Sequence, residues 1–226
     1  MGIQIEAWGD YALFSRPELK TERMSYDIIT PSAARGLIES VYWHPGIRIR
    51  IDRVYLLPGM NADRNQNPDD VIRFINIRRN EVTSRVSARR VQGMMLGGPA
   101  PFLDARTDIQ QRASNILVDV HYVIEAHFNL TRDAPENMTK DKVCAMYHKR
   151  LTRGMAYAQP YFGCREFPAR FREWQGGTIH PVDLTRDLGL MLYDMDYTNP
   201  ASPQPMYFRA RLKHGVMQVA GEEVLR

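Results

Sequence analysis

Several groups of side chains in this 226-residue chain could do chemistry. Tyr42, Trp43 and His44 stand together just before Pro45. Proline pushes the residue before it out of the helical region, so a helix ending here delivers two aromatic rings and an imidazole at one point. Arg73, Arg78, Arg79, Arg85, Arg89 and Arg90 crowd a stretch interleaved with Phe74, Ile75, Ile77 and Val82. Guanidinium forks match phosphate oxygens in pairs, so a twisted β-ribbon or thumb carrying them would clamp a phosphate backbone. The plainer alternative is a solvated, charged hairpin. Lys142 lies at the start of a helical stretch, where the helix dipole disfavours a cation. It is either solvated or held there for an anionic substrate. His121, Glu125 and His127 alternate along a strand-like run. Alternate strand residues lie about 7 Å apart, wide for ligands of one ion, so a polar sheet face suits them better than a metal site. Asp194 and Asp196 share one strand face without an evident third ligand, which disfavours a metal-dependent nuclease or phosphatase.

The elements that must position these groups follow from periodicity. Thr30 can cap a helix, Pro31 fits its first turn, and Ala34, Leu37, Ile38 and Val41 make one apolar face. Gly36 costs that helix about 1 kcal/mol against alanine, which suggests close approach of a backbone or a ligand. Arg35 and Glu39 lie on other faces. The aromatic residues at its end either form a site or plug the core. Ile3 to Trp8 alternates as a strand, Gly9-Asp10 marks a bend or bulge, and Ile47 to Tyr55 alternates again with Arg48, Arg50 and Asp52 outward. Residues 61–70 and 93–101 read as loops, and Ile116 to Leu130 as the clearest strand. A second helix spans Lys140 to Arg153, with Val143, Met146, Tyr147 and Leu151 as its apolar stripe and Lys142, Lys149 and Arg153 on another side. A fourth strand ends at Trp174, and strands at Leu188–Tyr197 and Met206–Lys213 form a small antiparallel extension. The order β-α-β, ribbon, β-α-β is that of ferredoxin-like and RNA-recognition-motif folds, so an α+β class is expected. The expected division is 1–174, with a basic ribbon over about 71–92, and 175–226.

Composition bounds the rest. A hydrophobic fraction of 44% is enough for a core, and a net charge of +4 with a pI near 9.1 is basic, with its excess clustered. No segment approaches the ~20 apolar residues that span a bilayer. Met1 leads into a strand-like segment and not a basic, then apolar, signal peptide. Cys144 and Cys164, twenty positions apart, make neither a disulfide scaffold nor a zinc site alone, and point to a reducing cytoplasm. The sequon-like Asn129-Leu130-Thr131 is then without meaning.

Five stretches together carry a family resemblance. They are WGDYALFSRPELKTERMSYDIITPSAARGLIESVYWHP (8–45), RRNEV (78–82), QQRASNILVDVHYVIEAHF (110–128), YFGCREFPARF (161–171) and DLGLMLYDMDY (187–197). Through them the chain resembles the type I-C (Dvulg subtype) members of the fifth Cas family, in the RAMP superfamily. The resemblance implies a ferredoxin-like domain with a β-rich C-terminal extension. It implies an endoribonuclease that cuts the repeat hairpin of precursor CRISPR RNA and stays on the 5′ handle within the interference complex. Its partners would be that RNA and the backbone and large subunits; no cofactor and no membrane is implied.

The family's cutting site combines a tyrosine at the end of the first helix with a lysine and a histidine at the start of the second. Tyr42 matches the tyrosine and Lys142 the lysine, but Val143 stands where the histidine is expected. His44, the nearest histidine to Tyr42 along the chain, becomes the candidate acid. Arg35, Arg48, Arg50, Arg78, Arg79, Arg85, Lys149 and Arg153 are the candidate RNA-binding residues. Metal-free cleavage uses the RNA's own 2′-OH: a group must handle that proton, a cation must stabilise charge on phosphorus, and an acid must protonate the leaving 5′-oxygen. A phenol, with a free pKa near ~10, is a poor base, so the tyrosine either ionises beside the lysine or orients the 2′-OH. The rival expectation is a binding subunit with the same fold and a degenerate site. Under another alternative, the ribbon docks a neighbouring protein subunit.

Overall fold

The computed structural model describes residues 2–19, 22–62, 67–82, 87–99, 106 and 109–226. Arg85 lies outside the described residues. The elements are β1 (Gly2–Ala12), β2 (Arg23–Met24), α1 (Pro31–Val41), β3 (Ile47–Leu56), β4 (Arg73–Val82), α2 (Ala88–Met95), β5 (Ile109–Leu130), α3 (Lys140–Arg153), β6 (Arg170–Glu173), β7 (Arg186–Asp196), β8 (Gln204–Lys213), β9 (Val216–Gln218) and β10 (Val224–Leu225). The fold is mixed α/β around one large sheet, in the order β10-β8-β9-β3-β5-β1-β6; β2 and β4 also pair with β5, and β7 with β8. All pairings are antiparallel except the two-residue contact of β2 with β5.

Helix α1 forms as its sequence requires. The Thr30 side chain accepts from the Ala33 N–H, Pro31 takes the first turn, and Ala34, Leu37, Ile38 and Val41 are all buried. Tyr42 is already extended, at φ −152° and ψ 127°, so the helix stops where proline dictates. Gly36 faces open space: an added Cβ there would meet nothing within 4 Å among the described residues, so of the two expected neighbours, a backbone or a ligand, the backbone is not there. It borders a cavity of about 300 Å³. Helix α3 has its predicted limits, capped by Thr139 and closed by left-handed Gly154. It buries Val143, Tyr147 and Leu151, but Met146 stays 36% exposed.

Strand β5 is the spine, and it is longer than predicted. It starts at Ile109, not Ile116, and its first half is the return strand of the basic ribbon, pairing Arg73 with Val118 through Val82 with Ile109. Its second half lies between β1 and β3. The two halves meet at Asp119, a non-glycine residue at φ 54°. Its carboxylate accepts from the Asn61 backbone and side chain and pairs with Arg73 at 3.4 Å, so bonds to residues 58 and 46 positions away hold the left-handed turn. Residues 88–95, which include Arg89, Arg90 and the start of the expected loop, form α2. Strand β1 runs through Gly9-Asp10 with no shift of register against β5, and the left-handed Asp119 lies opposite Asp10. The fourth strand shortens to Arg170–Glu173. The C-terminal strands join the main sheet through β9 on β3, and Met191, Phe208, Leu212 and Met217 share one buried core with Ile5, Leu37 and Ile124.

Candidate active site

The end of α1 is held by α3. The last carbonyls of a helix lack partners within it. Here the Tyr147 hydroxyl donates to the Tyr42 carbonyl at 2.7 Å, and Arg150 Nη1 donates to the Val41 carbonyl at 2.9 Å. The two rings meet edge to face, with centroids 5.5 Å apart, and the Arg150 guanidinium lies 5.2 Å from the Tyr42 ring centre. Burial, reinforced by Glu39 and the neighbouring phenol, pushes the Tyr147 hydroxyl well above its ordinary range, so it remains a donor. Tyr42 is thereby fixed at its backbone and across its ring.

One cavity of about 200 Å³ is lined by Tyr42, Asn137, Met138, Lys142, Val143 and Met146. The sequence-predicted pair Tyr42 and Lys142 therefore share a wall. Lys142 Nζ donates to the Asn137 carbonyl at 2.7 Å and makes no ion pair among the described residues, so its charge is available to an incoming anion. Val143, where a histidine was expected, is only 2% exposed and belongs to the core. His44 does not line this cavity. Its Nδ1 accepts from the Gly46 N–H at 2.9 Å, which puts the neutral ring's proton on Nε2.

The arginines divide into engaged and open groups. Arg35 binds Glu39 at 2.9 Å and Asp194 at 2.9 Å, tying α1 to β7. Burial disfavours its charge, but the two carboxylates outweigh that and push it up. Arg79, four-fifths covered, pairs with Glu166 at 3.0 Å. Arg48, Arg50, Arg78, Lys149 and Arg153 are exposed and form no ion pair among the described residues. His121, Glu125 and His127 do form a polar sheet face: His121 meets Glu6 at 2.9 Å, Tyr55 donates to Glu125 at 2.9 Å, and His127 meets Asp52 at 2.7 Å. No group of three or more His, Cys, Asp or Glu among the described residues could hold a metal ion.

Sequence reasoning missed Tyr147 and Arg150 as supports. Their spacing of three on α3 was the available signal, since residues so spaced share a helix face. It read Tyr147 as core only. Trp43, at 54% exposure, is no plug.

Known proteins have chains similar to this one. The chain is 40% identical over 235 residues to the CRISPR pre-crRNA endoribonuclease Cas5d of Mannheimia succiniciproducens, covering 99% of this chain and 98% of that protein. It is 35% identical over 240 residues to the CRISPR pre-crRNA endoribonuclease Cas5d of Thermus thermophilus, covering 98% and 92%. In fold it resembles a crystal structure described as a CRISPR-associated protein, with a TM-score of 0.66, 18% identity, and 100% and 97% of the two chains covered. The family model Cas_Cas5d, a CRISPR-associated protein (Cas_Cas5), matches residues 2–220. With nearly its whole length matched in this way, the chain belongs to the Cas5d family of CRISPR-associated proteins.

Proposed function

We propose that this protein is an endoribonuclease that cleaves the repeat hairpin of precursor CRISPR RNA by attack of the substrate's own 2′-OH. The observation that carries the reading is the wall shared by Tyr42 and Lys142, at the end of α1 and the start of α3. Tyr42 orients or deprotonates the 2′-OH. Lys142, engaged among the described residues by a neutral carbonyl alone, exchanges that bond for the phosphate and stabilises charge developing on phosphorus. As the imidazolium, His44 gives up the bond from Gly46 and protonates the leaving 5′-oxygen through Nε2, returning to the neutral ring; Nε2 has no hydrogen-bond partner among the described residues. The names of the Mannheimia and Thermus relatives support the substrate. The product stays on the protein as the 5′ handle, within the type I-C interference complex and in the cytoplasm; no helix among the described residues is long and apolar enough to cross a membrane.

The architecture proposed is a ferredoxin-like domain over residues 1–174 with a C-terminal β extension over 175–226. The strand order β3-β5-β1-β6, with α1 and α3 as the crossovers, supports it. Arg78 on β4 and Arg48 and Arg50 on β3 meet the phosphate backbone, as do Lys149 and Arg153. The test is incubation of the purified protein with its cognate repeat hairpin in EDTA, beside an unrelated hairpin. Cleavage of the first alone is expected. Tyr42→Phe and Lys142→Ala should each slow it about 10²-fold with little loss of binding. Binding without cleavage by the wild-type protein would instead favour a structural RNA-binding subunit.

A further inference from the structure

A crevice of about 920 Å³ lies beside the end of α1, on the side of Trp43. Because Tyr42 is extended, its side chain and that of Trp43 leave the backbone in opposite directions. Tyr42 lines the small cavity beside α3; Trp43 lines this crevice between β3 and β7. Trp43 is 54% exposed and Tyr197, which also lines it, 61%. Two large, half-exposed aromatic side chains beside one hollow, with no ring or cation stacked on them among the described residues, offer stacking surfaces.

Charge in the crevice is sorted as a nucleotide would need. Its carboxylates Glu39 and Asp194 share Arg35, and Asp196 lies 3.8 Å from Arg226, so two guanidiniums engage these three carboxylates and one negative charge is left over. Arg48 and Arg50 also line the crevice, project from the outer face of β3, and form no ion pair among the described residues. Alternate positions on a strand stand about 7 Å apart, so the two guanidiniums can take successive phosphates of one strand. Asp133 is the remaining carboxylate on the wall.

We infer that this crevice is a subsite for unpaired RNA next to the cut, with a base stacked on Trp43 and Tyr197 and its phosphates on Arg48 and Arg50. The inference rests on the proposed RNA cleavage. A strand crossing the end of α1 would put its scissile phosphate on the Tyr42 side and its flanking nucleotide on the Trp43 side. Base-on-aromatic stacking is tolerant of sequence, so the subsite reads the presence of a single-stranded flank more than its identity.

The test uses the full chain and the cognate repeat hairpin, made uncleavable by a 2′-deoxy sugar at the cut. The fluorescent base 2-aminopurine is placed at each unpaired flanking position in turn. Wild-type protein should quench it strongly at one or two positions. Trp43→Ala and Tyr197→Ala should each relieve that quenching and weaken binding of the flanked hairpin about tenfold. Neither should alter binding of a hairpin lacking the flanks, and Trp43→Phe should retain most of the affinity. Both side chains are exposed, and unchanged far-ultraviolet circular dichroism would verify the fold. The inference is overturned if both variants bind the flanked hairpin as the wild type does, or lose flankless binding equally. If wild-type protein binds no repeat hairpin at all, the proposed function fails and the subsite with it. If wild type and both aromatic variants bind this hairpin alike and cut the unmodified hairpin alike, only the subsite fails.

Discussion

Arg150 positions Tyr42 without touching the reacting atoms, and its removal should separate rate from affinity. Arg150→Met keeps the apolar stem while deleting the charged fork. The Val41 carbonyl then loses a donor, at a cost of about 1.5–3 kcal/mol, and the Tyr42 ring loses a cation worth about 0.5–1 kcal/mol. Against this, Arg150 Nε is buried without a hydrogen-bond partner, so its deletion returns about 1 kcal/mol or more. The net loss is about 1–3 kcal/mol, or a melting point lower by about 2–12 °C for a chain of this length. The rate should respond more. A reacting group displaced by about 1 Å can cost 10²-fold, so single-turnover cleavage with protein in excess should slow about 10- to 100-fold. Hairpin affinity should change less than threefold. The reasoning is refuted if Arg150→Met cuts within twofold of wild type while its melting point falls as expected. A rate loss matched by an equal affinity loss would make Arg150 an RNA contact instead.

Three further outcomes follow from the same contacts. His44→Ala should slow cleavage at least tenfold and be rescued by a 5′-thio leaving group, which needs no proton donor; a wild-type rate would remove His44 from the mechanism. Arg35→Ala should lower the melting point by releasing α1 from β7 and leave the salt dependence of hairpin binding unchanged, whereas Arg78→Ala should flatten that dependence by up to about one ion at constant melting point. The reverse pattern would exchange their roles. For Glu6, burial opposes the charge, but donation from Arg172 and His121 outweighs it and holds the carboxyl below its ordinary range. Its contribution is then present above the unfolded-state value near ~4.3 and lost as pH falls through the lower folded-state value. The stability gap between wild type and Glu6→Gln should therefore narrow steadily below about pH 5 in thermal melts. A gap constant down to pH 3 would contradict it.

Local rules made much of this molecule readable. Thr30 with Pro31, and the stop before Pro45, placed α1 because capping and proline geometry act within a few residues. The alternation of Arg48 and Arg50 with Ile47, Ile49 and Ile51 placed β3 for a similar reason. The start of β5 was not legible, because residues 109–115 are polar and become a strand only through pairing with β4. Helix α2 was hidden by its exposed, glycine-bearing sequence, which has no buried face to set a period. At the site, Tyr42 and Lys142 came from family resemblance, since nothing local says that residues a hundred positions apart share a wall. Arg35 looked like a phosphate ligand because its acidic partner on β7, Asp194, is 159 positions away. The crevice beside Trp43 was invisible for the same reason.

The central claim is chemical: the RNA's own 2′-OH cuts the strand at the Tyr42–Lys142 wall. The most direct measurement is mass spectrometry of the products from the cognate hairpin, beside one with a single 2′-deoxy sugar at the cut position. The account expects a 2′,3′-cyclic phosphate upstream and a 5′-hydroxyl downstream from the first. It expects no cleavage of the second, with binding nearly intact. A 5′-phosphate product, or cleavage of the deoxy substrate at the normal rate, would contradict it.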